Sequence, residues 1–170
     1  LGFYEEARPE VADWHIQWAV SHGISFFAID WFWNQGHEFI NQALDEGFLK
    51  SRFAQNMQFC IHWCNADASN TEFRPMDFSG RTMRELTQTL CDRYFHLANY
   101  LRVDGKPVLI ILMPGRIANA NGGWSGCARV LNQMRGIART KGYPGIYIVA
   151  IQDDPYIEDF GRGGFDAATT

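Results

Sequence analysis

Polar and aromatic side chains lie at or near the carboxyl end of each strand that the sequence predicts. They carry carboxylate, amide, imidazole and indole groups. Indole faces stack on the C–H surface of sugar rings, and the polar groups form paired hydrogen bonds with hydroxyls. The mixture therefore predicts a binding site for a neutral, polyhydroxylated ligand. The candidate ligand-binding residues are Asp30, Trp31, Trp33, His62, Trp63, Asn65, Gln152 and Asp153.

Asp30 is the strongest single candidate, because it lies inside a run of apolar and aromatic residues. A carboxylate in such a strand needs a partner or a position at the mouth of a site, since an unpaired buried charge is costly. Asp153 has a second interpretation, because Asp153 and the two residues after it also form a turn signature that caps a short helix. Trp14 and Trp18 are four residues apart, and we expect them to pack into the core from a helix.

Cys60, His62 and Cys64 alternate along a predicted strand, and such residues are potential metal ligands. At ~3.3 Å per residue, Cys60 and Cys64 lie about 13 Å apart, too far for a shared zinc ion or a disulfide. We therefore predict no metal site, and we expect the cysteines to pack as small hydrophobic residues. No glycine-rich phosphate loop or Gly-x-Ser-x-Gly elbow occurs, so neither a cofactor nor a serine nucleophile is predicted.

Composition and charge exclude several classes of protein. The 170 residues are 46% hydrophobic, 15% aromatic and 20% charged, which excludes a disordered or low-complexity chain. The net charge of −4 and the scattered Lys and Arg residues argue against a nucleic-acid partner. No apolar run approaches the ~20 residues of a membrane span. We expect residues 1–170 to form a single domain that is truncated at both ends.

Strand and helix patterns alternate along the chain. The strands are continuous apolar runs, which predicts a parallel sheet with helices as crossovers. Polar residues, and not a dinucleotide-binding glycine motif, end each strand, so we predict an α/β fold, a partial (β/α)₈ TIM barrel with about four to five of its eight units. Predicted strands cover residues 24–33, 58–63, 108–113 and 146–151, with a fifth starting at 165, and predicted helices cover 9–22, 37–50, 79–98 and 130–142.

Several segments resemble, in the same order, the glycoside hydrolase family 99-like proteins, including the WbsX group. The segment from Phe27 to Trp33 and the strand at 60–65 are similar to strands of that group. The most specific piece is 100–109, which resembles its Tyr-Leu-x-Val-x-Gly-Lys-Pro-Val segment. The resemblance covers essentially the whole chain.

The resemblance implies a (β/α)₈ barrel and, for the family 99 enzymes, endo-acting cleavage of α-mannosidic linkages by carboxylates in a Glu-Trp-x-Glu-like segment. No such segment occurs in residues 1–170, so the catalytic residues are expected after Thr170. Ala66 stands where the WbsX-like pattern has Glu, which removes one carboxylate near the sugar site. The resemblance also favours a periplasmic or secreted protein.

The predicted function is a glycoside hydrolase-like protein that acts on α-mannoside-type or related polysaccharide linkages. The expected partner is therefore an oligosaccharide or polysaccharide. Two alternatives stay open: a barrel that binds glycans without cleaving them, and a WbsX-type glycosyltransferase of polysaccharide assembly. A transferase would need a nucleotide-phosphate site, and the sequence shows neither a basic cluster nor a phosphate loop for one.

Overall fold

The computed structural model describes residues 4–66, 75–151 and 160–169, which form a mixed α/β fold. No helix in these ranges is long and apolar enough to cross a membrane. The helices are α1 (Pro9–Ser21), α2 (Gly80–Leu90), α3 (Pro114–Ala120), α4 (Trp124–Thr140) and α5 (Phe160–Gly163), and short helical segments cover Ala43–Gly47, Phe48–Lys50, Ala54–Asn56 and Cys91–Phe95. The strands are β1 (Phe26–Asn34), β2 (His37–Phe39), β3 (Gln58–Trp63), β4 (Arg102–Val103), β5 (Lys106–Ile111), β6 (Tyr147–Ile151) and β7 (Ala167–Thr169).

The sheet keeps its parallel strands in chain order. β1, β3, β5, β6 and β7 lie side by side and parallel, while β2 pairs antiparallel with the end of β1 and β4 with β5. A doubly wound sheet reverses its strand order at a switch point, whereas a (β/α)₈ barrel adds each strand beside the previous one. The order confirms the predicted α/β class, and the five parallel strands agree with the predicted four to five units.

A single hydrophobic core fills the space between the sheet and the helices. α2 contributes Met83 and Leu86, and α4 contributes Leu131 and Met134, all fully buried. These residues recur at helical spacing, so one face of each helix covers the sheet. Ser79 caps α2 as expected, because its hydroxyl accepts a hydrogen bond from the backbone N–H of Thr82. The buried faces of α2 and α4 therefore lie against one side of the described sheet.

The predicted helix over 37–50 is wrong in its first part. Residues 37–39 instead form β2, which folds back on β1 through a two-residue turn. Gln35 and Gly36 at the centre of that turn have φ of 50° and 82°, the left-handed conformation that such hairpin turns require. The prediction rested on apolar spacing and did not take this turn into account. Helical structure begins only at Ala43.

Trp14 and Trp18 do not pack into the core, so that expectation is also wrong. Their exposed fractions are 54% and 53%. The buried face of α1 is instead formed by small and branched residues, Val11, Ile16 and Ala19 among them. These residues share the same helical period, and the helix turns this stripe, and not the tryptophans, toward the protein. The four-residue spacing of Trp14 and Trp18 indicated one face of a helix but not which face is buried.

Asp13 connects α1 to the segment after Lys50. Its side chain is only 4% exposed, and its two carboxylate oxygens accept hydrogen bonds from the Ser51 hydroxyl at 2.6 Å, the Arg52 backbone N–H at 3.0 Å and the Arg52 Nε at 2.7 Å. The hydrogen bond from Ser51, followed by those from Arg52, lowers the pKa of Asp13, although burial acts in the opposite direction. The charged carboxylate therefore stabilises the fold.

The substitution Asp13→Asn should make the free energy of unfolding less dependent on pH. A carboxylate with a lowered folded-state pKa contributes stability above its unfolded pKa of about 3.9, and this contribution is lost as the pH falls through the lower folded-state value. Urea unfolding of the complete protein at a series of pH values should show the wild type more stable near neutrality and the difference closing below about pH 4.

The matched control is Asp92→Asn. Asp92 is exposed and has one cationic partner, Lys141, at 2.7 Å. Exposed pairs of this kind contribute little to stability. A stability difference for Asp13→Asn that stays constant with pH, or one of equal size for Asp92→Asn, would contradict this account.

Candidate functional site

The pairing of β1 with β3 decides which side chains share a face of the sheet. Asp30 lies opposite His62, and Trp31 lies opposite Trp63. Because successive side chains in a strand point to opposite faces, Asp30 and His62 share the face away from the helices, here called the inner face. By the same register, the inner face of the described strands comprises Ala28, Asp30, Phe32, Cys60, His62, Val108, Ile110, Tyr147, Val149 and Ile151.

Asp30 and His62 form a hydrogen-bonded pair on the inner face. The His62 Nδ1 lies 2.7 Å from the Asp30 Oδ1. Because an ionised carboxylate can only accept, Nδ1 carries the hydrogen, and in a neutral imidazole the other nitrogen, Nε2, is an acceptor. That Nε2 is buried and has no hydrogen-bond partner among the described residues, whereas the Asp30 side chain is 66% exposed. The pair therefore offers two acceptors to a ligand: a carboxylate and an imidazole nitrogen.

Cys64 is a neighbour of this pair that the sequence analysis considered only together with Cys60 and expected to pack as a small hydrophobic residue. Its thiol is a ligand atom that lies within 4.8 Å of ligand atoms of both Asp30 and His62. Burial, with a smaller contribution from the Asp30 charge, raises the pKa of Cys64 to about 12. The signal in the sequence was the His62-x-Cys64 spacing, which places both side chains on one face. The sequence analysis grouped His62 and Cys64 with Cys60. The third residue of the cluster is instead Asp30, which lies on the neighbouring strand β1.

The three predicted tryptophans lie on the other face, within the core. Trp31, Trp33 and Trp63 are 0%, 2% and 0% exposed. The Trp31 and Trp33 rings stack at 6.4 Å, and the indole N–H groups of Trp31 and Trp63 donate to the Tyr94 hydroxyl and to the Trp33 carbonyl. With their rings enclosed and their N–H groups bonded, they present no open face to a sugar. Their predicted role in stacking gains no support from this placement.

Asn65 is brought to the carboxyl ends of the strands, but its amide group is fully engaged there. Its Nδ2 donates to the Met113 carbonyl at 2.9 Å, and its Oδ1 accepts from the Met113 N–H at 2.7 Å. Asn65 is completely buried. It acts as a side-chain extension of the ladder between β3 and β5, and it holds together the segments that follow these strands. Its predicted contact with substrate stays a prediction.

Two of the predicted residues, Gln152 and Asp153, lie outside the described residues. Of the eight candidates, the structure therefore brings Asp30 and His62 together on the inner face. It places Asn65 at the same end of the sheet and the three tryptophans behind the sheet. The candidate site consists of the Asp30–His62 pair with Cys64 beside it.

A groove of about 780 Å³ lies beside the part of β1 that precedes its pairing with β2, where no other described strand covers this edge, and Asp30 lies in its wall. Its other walls come mainly from apolar and aromatic residues of α1 and β1, including Trp18, Ile24 and Phe27. A free strand edge flanked by apolar side chains is the surface that a further strand covers. We therefore assign this groove to packing and keep the site on the inner face.

Comparisons with known proteins agree with the fold and the sequence pattern. A model of the family described as Glycosyltransferase WbsX matches residues 1–170. Two structures of the GH99 endo-alpha-mannosidase from Bacteroides thetaiotaomicron, the second in complex with BIS-TRIS-propane, match at 19% identity and TM-score 0.65 over 97% of this chain and 44% and 47% of theirs. A glycoside hydrolase-like protein matches at 21% identity and TM-score 0.68 over 98% of this chain and 51% of its own. No curated protein sequence matches the chain.

These matches confirm the predicted resemblance and the fold. At 19–21% identity the structural likeness concerns the fold alone. The chain spans about half the length of the structures that it matches. The α/β sheet described above is therefore similar to about half of a GH99 barrel-containing chain.

The substitution Asn65→Ala should destabilise the protein even without a ligand. It leaves the N–H and carbonyl of the half-buried Met113 without their partner, and a buried group left in that state costs about 1–3 kcal/mol. We expect urea unfolding of the complete protein to show a loss of about 2–4 kcal/mol. Asn132→Ala on the exposed side of α4 is the control, with an expected change below about 0.5 kcal/mol. Equal stability of the two variants would refute the structural role of Asn65.

Proposed function

The chain belongs to the WbsX glycosyltransferase family, and we propose that the complete protein is a glycoside hydrolase-like enzyme that processes glycans. In this proposal, Asp30 and His62 bind sugar hydroxyls on the inner face of the barrel. The observation that carries it is the Asp30–His62 pair, which is held at 2.7 Å toward the carboxyl ends of two neighbouring parallel strands. Barrel enzymes carry their active sites at that end of the strands.

The chemistry of the pair suits a sugar. Hydroxyl groups donate hydrogen bonds to carboxylates, and such charge-assisted bonds are stronger than bonds between neutral groups. Asp30 is open to a ligand, and the Nε2 of His62 lacks a partner among the described residues. A sugar hydroxyl can therefore donate directly to Asp30, and a second hydroxyl reaches Nε2 of His62 when the side chains that bury it shift. Val108, Ile110 and the other apolar residues of the inner face leave few competing polar groups around it.

The substrate class in the proposal is an α-mannoside-type or related polysaccharide linkage. It rests on the family resemblance and on the fold shared with a GH99 endo-alpha-mannosidase. The catalytic carboxylates are assigned to residues after Thr170, since the Glu-Trp-x-Glu-like segment that the resemblance implies does not occur in residues 1–170. Asp30 and His62 then orient the sugar and do not themselves cleave it.

Sugar transfer is the second candidate, because the family carries the description of a glycosyltransferase. A nucleotide-sugar donor brings phosphate groups, which require cationic side chains or a helix terminus prepared for anions. Among the described strands, the alternation places one cationic side chain on the inner face, Lys106 at the amino-terminal start of β5, whereas the carboxylate of Asp30 lies toward the carboxyl ends. This charge distribution favours a neutral glycan over a nucleotide-sugar. Glycan binding without cleavage is the third candidate.

The substitutions Asp30→Asn and His62→Gln should each lower the kcat/KM of the complete protein for α-mannoside oligosaccharides. Loss of a hydrogen bond to a charged or buried acceptor costs about 1.5–3 kcal/mol, which corresponds to roughly 10- to 100-fold. Release of reducing sugar, measured by chromatography of the products, is the readout. Asp92→Asn on the outer surface is the matched control and should keep wild-type activity. Unchanged kcat/KM in Asp30→Asn would remove Asp30 from the site.

The same preparations distinguish the three candidate functions. A hydrolase releases shorter oligosaccharides in water without any nucleotide-sugar. A transferase lengthens an acceptor glycan only when a nucleotide-sugar is added and releases the nucleotide. A binding protein retains glycan on an affinity column and yields no product in either assay. Product formation that requires a nucleotide-sugar would overturn the hydrolase proposal.

A further inference from the structure

Asp30, His62 and Cys64 bring three different metal-binding atoms together on the inner face. Asp30 and His62 are opposite each other in the parallel register of β1 and β3, and Cys64 follows His62 by two residues. A carboxylate oxygen, a ring nitrogen and the Cys64 Sγ all lie within 4.8 Å of one another. The adjacent strands β1 and β3, with the residue that follows β3, thus bring three side chains close together. The group contains the two residues of the sugar-binding proposal and adds Cys64.

The distances are close to those of a zinc centre. Zinc binds sulfur at ~2.3 Å and nitrogen or oxygen at ~2.0–2.2 Å in a tetrahedron, which places neighbouring ligand atoms roughly 3.3–3.8 Å apart. Ligand atoms within 4.8 Å of one another reach these separations when side-chain rotation moves them by about 1 Å. Asp30 has room for such a rotation, because its side chain is 66% exposed. His62 lies on β3, a central strand of the described sheet, and Cys64 is the residue after its end, with its N–H bonded to the Trp31 carbonyl.

The donor set selects a class of ion. Magnesium and calcium take oxygen ligands, whereas a thiolate with an imidazole and a carboxylate suits zinc and similar transition metals. One carboxylate and one thiolate balance the charge of a divalent cation. Three protein ligands leave the fourth tetrahedral position open, as in zinc sites that bind a further molecule.

The His62 ring decides which nitrogen can bind the ion. A metal-binding histidine uses one ring nitrogen for the metal and the other for a hydrogen bond. His62 has one nitrogen bonded to Asp30 and one buried nitrogen without a partner among the described residues. Buried polar atoms in native proteins are nearly always paired. Because Nδ1 faces Asp30, an ion shared by both residues takes the place of the hydrogen on Nδ1, whereas the buried Nε2 points away and lacks a separate partner among the described residues.

We propose that Asp30, His62 and Cys64 form a binding site for one divalent cation of the zinc class, on the inner face at the carboxyl ends of β1 and β3. Cys60 takes no part, because it lies one strand period before His62 and pairs with Ala28. The site is built by two strands and not by the Cys60–Cys64 spacing, which the strand geometry excludes.

Titration of the complete, chelator-treated protein with Co²⁺ tests the proposal. Cobalt bound to a thiolate gives a charge-transfer band in the near ultraviolet, together with visible bands typical of tetrahedral coordination. We expect one equivalent to bind, and we expect Zn²⁺ to displace it, since zinc binds such sites more tightly than cobalt. Cys64→Ser should abolish the charge-transfer band. His62→Gln and Asp30→Asn should keep the thiolate but weaken binding at least tenfold, on the scale of lost ligand support.

The matched control is Cys60→Ser, which alters a buried cysteine on the same strand and the same face. It should leave the cobalt spectrum and the affinity unchanged. Absence of a charge-transfer band in the wild type, its survival in Cys64→Ser, or its loss in Cys60→Ser would overturn the proposal. His62→Gln decides the matter if Cys64→Ser does not fold. The optical readout needs no glycan, so failure here leaves the proposed hydrolase activity untouched.

Discussion

Parallel hydrogen bonding between β1 and β3 sets Asp30 opposite His62, and the chemistry of the inner face depends on that register. Side chains alternate between faces at every residue, so a shift by one position would exchange the polar pair for Trp31 and Trp63. The inner face would then be aromatic, and a carboxylate and an imidazole would be forced into the core. The cost of burying those groups without partners makes the observed register strongly preferred.

The aromatic residues maintain this register from behind the sheet. Trp31 and Trp63 are enclosed by the helix layer, and Trp31 donates to the hydroxyl of Tyr94, which in turn donates to Asp45. Large buried rings contribute strongly to core stability, and a bonded indole N–H also fixes their orientation. The aromatic excess of the sequence therefore supports the site indirectly. The buried aromatic residues hold the strands that present Asp30 and His62, so this polar pair does not have to stabilise the sheet.

The strands of the fold were predictable from the sequence wherever an apolar run was continuous. Doubly buried strands and their parallel order were predictable from apolar runs, since only a sheet covered on both faces buries them. The site was predictable in part: Asp30 stood out as a carboxylate in an aromatic strand, but the inward or outward direction of each residue depends on the register, which a single sequence does not reveal. The tryptophans were misjudged for that reason. Cys64 was missed because its partner, Asp30, is distant in sequence.

The carboxyl ends of the strands are stiffened by asparagine side chains, which explains how a ligand site can exist where the ladders end. Asn41 bonds both backbone groups of Phe32, and Asn65 bonds both backbone groups of Met113. An amide side chain has one donor and one acceptor group, so it replaces a neighbouring strand at a single residue. Backbone groups that would otherwise require water are satisfied within the protein. The inner face next to them is thereby free to carry Asp30, whose side chain is exposed, and His62, whose Nε2 has no partner among the described residues.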